Sequence, residues 1–167
     1  MSSKYIPNII TAINLVAGVM SLVLMMSDNF TSAAGLILLA ALLDSMDGKV
    51  ARRLSATSAF GKELDSLADL VSFGVAPALL VYASNLVSLG IAGLGASVLF
   101  VVCGALRLAR FNTTTFSGSF QGIPITVAGG LMALLMLVAR DLHVGVVMLI
   151  ILSLSFLMVS KVSIPKF

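Results

Sequence analysis

Four aspartates carry the chemistry that this sequence offers. Asp44 and Asp47 stand three residues apart, and Asp65 and Asp69 stand four apart. With Glu63 they make up five of the chain's seven acidic residues, all between positions 44 and 69. Side chains three or four residues apart share one face of a helix, so each pair forms an acidic stripe. Gly48 and Ala51 continue the first stripe, and Gly61 lies one turn before Asp65 on the second, leaving open space beside the carboxylates. The linker between the two helices is short, so they run antiparallel and side by side. Converging carboxylates repel strongly unless cations sit between them, which points to a site for one or two divalent ions. The chain has a single histidine, His143, and a single cysteine, Cys103, so a zinc site of His and Cys has no ligands to draw on. Oxygen ligands favour a hard cation such as Mg²⁺, Mn²⁺ or Ca²⁺. The competing reading makes the aspartates helix caps and interfacial charges paired with Lys49, Arg52, Arg53 and Lys62. Two facing stripes flanked by small residues fit the ion site better. Glu63 lies off the stripe beside Lys62 and reads as half of a solvated ion pair.

The elements that position these acids follow from composition. The chain has 167 residues, 59% hydrophobic and 10% charged, with a mean hydropathy of +1.14. Soluble domains are ~45–50% apolar and ~25% charged, so an ordinary soluble protein, a disordered chain and a charge-driven nucleic-acid binder are excluded. Apolar runs fall at about 9–26, 32–54, 62–84, 88–110, 123–139 and 142–160; a helix needs ~20 apolar residues to cross a ~30 Å hydrocarbon core. The first run is too long for a signal peptide and no A-x-A-like site follows it, so it reads as a retained helix. The expected fold is an all-α membrane protein, a single domain over 1–167 with six transmembrane helices. If the amino terminus is cytoplasmic, Lys4, Lys49, Arg52, Arg53, Lys62, Arg107, Arg110, Lys161 and Lys166 all fall at cytoplasmic ends and only Arg140 falls outside. The positive-inside rule then places both termini in the cytoplasm. An aspartate at the bilayer centre costs ~2.5–3.5 kcal/mol on the insertion scale, so a cluster of them needs a compensating function.

The run Asp44-Ser-Met-Asp47-Gly48-Lys-Val-Ala51-Arg52, followed after eight residues by Gly61, then by Asp65 and Asp69 at intervals of four, resembles the signature of the CDP-alcohol phosphatidyltransferase family at every fixed position. The resemblance implies a CDP-linked lipid that gives its phosphatidyl group to an alcohol while CMP leaves. It implies that Asp44, Asp47 and Asp65 ligate Mg²⁺ or Mn²⁺, with Asp69 as a further ligand and the proton acceptor. It also implies a CDP-lipid pocket that includes Gly48, Ala51, Arg52, Ser58 and Gly61. A carboxylate bound directly to a dication is a weakened base, so Asp69 is expected to touch a metal only loosely.

Pro7-Asn8-Ile-Ile-Thr11 reads equally as a helix start and as the N-x-x-T segment that lines the nucleotide pocket in relatives. Arg107 and Arg110, three apart, suit an anionic group or an interfacial anchor. Ser72-Phe73-Gly74-Val75-Ala76-Pro77, the Arg107-to-Asn112 run, Phe120-Gln-Gly122-Ile-Pro124 and Leu157-Met-Val-Ser-Lys161 are similar to the integral-membrane phosphatidylserine synthase branch of that family. The acceptor implied is L-serine, with its carboxylate on Arg107 or Arg110 and its hydroxyl near Asp69. The resemblance further implies a homodimer in the cell membrane with a cytoplasm-facing site. Glycerol 3-phosphate, inositol and inositol phosphate are the alternative acceptors, because the aspartates handle only the shared donor. A small divalent-cation transporter is the alternative from another class; such proteins often show internal repeats, and none is visible here.

Overall fold

The computed structural model describes residues 6–53, 58–113, 120–160 and 163–164. These residues are almost wholly helical, in the order α1 (Ile6–Met25), α2 (Phe30–Arg53), α3 (Ala59–Asp69), a π-helical turn (Leu70–Val75), α4 (Ala76–Ser84), a 3-10 turn (Leu86–Leu89), α5 (Ile91–Thr113), α6 (Ile125–Val138) and α7 (Val144–Val159). Phe120–Gln121 and Ser163–Ile164 form one short antiparallel pairing, β1 with β2. Since α3, the π turn and α4 run on without a break, the apolar runs of the sequence become six helical rods among the described residues.

Asp28 reverses the chain between α1 and α2 with a φ of 56°, a left-handed conformation that Asp tolerates better than most residues. Asn29 then caps α2, its side-chain oxygen accepting from the Ser32 N–H at 3.3 Å and meeting one of the donors a helix start leaves unpaired. Small side chains let α1 and α2 approach closely. Ala33, Ala34 and Ala40 of α2 are fully buried, and Ser21 of α1 donates to the Ala33 carbonyl at 3.0 Å.

The π turn is clasped from two sides. A β-carbon on Gly18 of α1 would lie 2.8 Å from Ser72 Cα, and one on Gly129 of α6 would lie 2.8 Å from Phe73 Cα. Pro77 follows in the first turn of α4, where it has no N–H to return to the preceding turn. Such one-turn π insertions are frequent at functional sites, and this one begins directly after Asp69. The buried core beneath is built on Phe73, Phe100, Ile125, Met132, Ile151 and Met158.

Among the described residues, three helices are long and apolar enough to cross a membrane: Pro7–Met25, Ala59–Ser84 and Ile91–Thr113. Phe30–Met46, Ile125–Val138 and Val144–Val159 are apolar but shorter. At ~1.5 Å per residue, the 14-residue α6 spans ~21 Å, less than a ~30 Å hydrocarbon core.

Candidate active site

Three of the four aspartates, Asp44, Asp65 and Asp69, meet as their spacing predicts. Asp44 projects from α2, and Asp65 and Asp69 from the last two turns of α3. One carboxylate oxygen from each lies within 4.8 Å of the other two. Asp69 is buried, with 8% of its surface exposed, while Asp44 and Asp65 are half-buried. Ionised carboxylates this close repel one another unless a cation lies between them. Oxygen atoms around one Mg²⁺ stand ~2.0–2.1 Å from the ion, so small side-chain rotations would close this group onto a divalent ion. The oxygen-only donor set suits a hard cation. Asp47, Gly48, Ala51 and Arg52 belong to the backbone of α2, and their side chains lie outside the described positions.

Two further residues bear on the acids. Thr126, in the first turn of α6, donates its hydroxyl to Asp44 Oδ2 at 3.1 Å. Sequence reading passed over Thr126; the cue was a hydroxyl two residues past Pro124 in an otherwise apolar helix. Arg107, from α5, interacts electrostatically with Asp69. Its Nε is buried and, among the described residues, has no hydrogen-bond partner. Arg110 goes elsewhere: its Nη1 donates to the Val159 carbonyl at 3.2 Å, tying α5 to the end of α7. The structure thus separates two arginines that helical spacing grouped together.

Asn8, Ser58 and Gly61 also come together. A β-carbon at Gly61 would sit 2.9 Å from Asn8 Oδ1 and 3.1 Å from Ser58 Oγ. Ser58 caps α3, its hydroxyl oxygen accepting from the Gly61 N–H at 3.0 Å. Thr11 is buried, and its hydroxyl donates to the Pro7 carbonyl at 3.1 Å. Glu63 and Lys62 were expected to pair with each other, but both turn to Asn112. The Asn112 amide donates to Glu63 at 3.4 Å and to Ser66 at 3.0 Å, while the Lys62 ammonium donates to the Asn112 carbonyl at 3.3 Å and lies 5.5 Å from the centre of the Phe111 ring. Neighbours on a helix point apart, and the end of α5 supplies nearer partners to both.

The family model described as CDP-alcohol phosphatidyltransferase matches residues 4–159. A CDP-diacylglycerol–serine O-phosphatidyltransferase of Helicobacter pylori is 41% identical over 170 residues, covering 96% of this chain and 72% of the relative. The Bacillus subtilis protein of the same name is 38% identical over 165 residues, covering 98% and 92%. An archaetidylserine synthase of Methanothermobacter thermautotrophicus is 37% identical over 164 residues, covering 96% and 70%.

Proposed function

This chain belongs to the CDP-alcohol phosphatidyltransferase family, and we propose that it transfers the phosphatidyl group of CDP-diacylglycerol to the hydroxyl of L-serine, giving phosphatidylserine and CMP. The observation that carries the reading is the meeting of Asp44, Asp65 and Asp69 from two helices within 4.8 Å, in a chain whose similar relatives are named for serine transfer.

The serine oxygen attacks the lipid-side phosphorus, a new P–O bond forms, and the P–O bond to the CMP oxygen breaks. Asp69 accepts the hydroxyl proton; a positioned base of this kind contributes ~10²–10⁴-fold. Asp44, Asp47 and Asp65, with Asp69 more loosely, would hold Mg²⁺ or Mn²⁺. When bound, the ion stabilises negative charge on the diphosphate and on the departing phosphate. Thr126 fixes the orientation of Asp44 and leaves its second oxygen available to the ion. Arg107 receives the serine carboxylate: its buried Nε–H needs an acceptor, and a planar guanidinium matches a carboxylate with two parallel hydrogen bonds. Asn8, Thr11, Gly48, Ala51, Arg52, Ser58 and Gly61 form the CDP-lipid pocket.

The chain is a single domain over 1–167, with six rods crossing the cell membrane and both termini and the acids at the cytoplasmic side, supported by the nine-to-one split of Lys and Arg. The enzyme works as a homodimer.

The test is purified protein supplied with CDP-diacylglycerol and, separately, serine, glycerol 3-phosphate, inositol or inositol phosphate, following CMP. Serine alone should release CMP. Release with another alcohol and not with serine would move the chain to a different acceptor, and no release with any of them would reopen the transporter reading.

A further inference from the structure

Asn14 lies on α1 with none of its surface exposed, and neither Nδ2 nor Oδ1 of its side chain has a hydrogen-bond partner among the described residues. An unmet buried polar atom costs ~1–3 kcal/mol. The position is also held in place. The Ser72 hydroxyl donates to the Asn14 backbone carbonyl at 3.1 Å, and Gly18, one turn further along α1, lies directly against Ser72. Ser72 follows Asp69 by three residues, inside the π turn. Asn8 beside Gly61 and Asn14 beside Ser72 show that α1 and α3 run parallel. With Asn8 matched to Gly61 and Gly18 matched to Ser72, Asn14 stands level with Ala68, the residue before Asp69.

An amide that offers a donor and an acceptor in a closed space is matched by a small molecule that does both. Buried water typically makes two to four such bonds to otherwise unmet groups and is costly to remove. We propose that the Asn14 side chain holds a buried water beside the carboxylates, and that Asn14 acts through it as a positioning residue for Asp69. The kinetic consequence rests on the serine-transfer reading; the water itself does not.

The test has two arms. A high-resolution experimental structure of the wild-type protein should show water density within hydrogen-bonding distance of Asn14 Nδ2 and Oδ1; a dry, unpartnered amide would overturn the proposal. In the second arm, Asn14→Leu should lower kcat about tenfold or more, as expected for a displaced reacting group, with the KM for serine unchanged. Asn14→Ser, which keeps a donor and an acceptor and leaves room for a second water, should retain most of the wild-type kcat. A folded Asn14→Leu protein with wild-type kcat would refute the positioning role. If Asn14→Leu does not fold, a loss of kcat in Asn14→Ser as its water density disappears supports that role, and full kcat without the water refutes it. Should the wild type release no CMP with serine, the function reading fails while the density still decides the water.

Discussion

Thr126 on α6 reaches across to Asp44 on α2, its hydroxyl 3.1 Å from Oδ2. The two residues are 82 positions apart in the chain, so the bond ties α6 to the helix that supplies Asp44 to the acid cluster. One Asp44 carboxylate oxygen also lies within 4.8 Å of an oxygen of Asp65 and of Asp69.

Thr126→Val keeps the shape and removes that bond. A hydrogen bond to a charged group is worth ~1.5–3 kcal/mol, so the divalent-ion concentration needed for half-maximal CMP release should rise about tenfold or more. An unchanged metal requirement would leave the bond with a packing role only.

Asp69→Asn keeps the size of the side chain and removes its capacity to take a proton. Turnover should fall by ~10²–10⁴-fold while binding of CDP-diacylglycerol, followed by calorimetry, persists. Wild-type rates in this variant would remove Asp69 as the base.

Arg107→Ala and Arg110→Ala should separate. The first should raise the KM for serine about tenfold or more through loss of a charge-assisted contact, with a smaller effect on the KM for CDP-diacylglycerol. The second should lower the thermal midpoint by releasing the Val159 carbonyl from α5, with little change in serine dependence. A reversed pattern would move the carboxylate site to Arg110.

Gly18→Ala puts a methyl group against the Ser72 backbone, where neither helix can yield without shifting the π turn. Overpacking of this kind costs ~1–3 kcal/mol, which should appear as a lower thermal midpoint in detergent and as reduced turnover, since Ser72 lies three residues after Asp69 in the π turn. Gly35→Ala is the control. Nothing lies within 4 Å of a β-carbon there, and the change should be neutral or stabilising by ~0.5–1 kcal/mol.

The legible part of this protein was what depends on local spacing. Asp44, Asp65 and Asp69 meet because helical periodicity and a short linker leave their stripes little other choice, and the apolar runs became rods in the expected order. What the sequence hid depends on three dimensions. The π turn at Leu70–Val75 inserts extra residues into an otherwise apolar helix, and Pro77 was its single local cue. Thr126 could be joined to Asp44 only once α6 was placed beside α2. Arg107 and Arg110 share a face by spacing, yet the end of α7 captures one and leaves the other to the acids. Glu63 and Lys62 were misread for the same reason, because Asn112, which draws both, comes from a distant helix.

The central claim is that the acids of α2 and α3 hold a divalent ion on which phosphatidyl transfer depends. CMP release from CDP-diacylglycerol and serine by the purified protein, measured before and after EDTA and again after adding back Mg²⁺ or Mn²⁺, tests it most directly. Turnover should fall to background with EDTA, return with either ion, and fail to return in an Asp44→Asn/Asp65→Asn variant. Undiminished CMP release from the wild-type protein in EDTA would contradict the account.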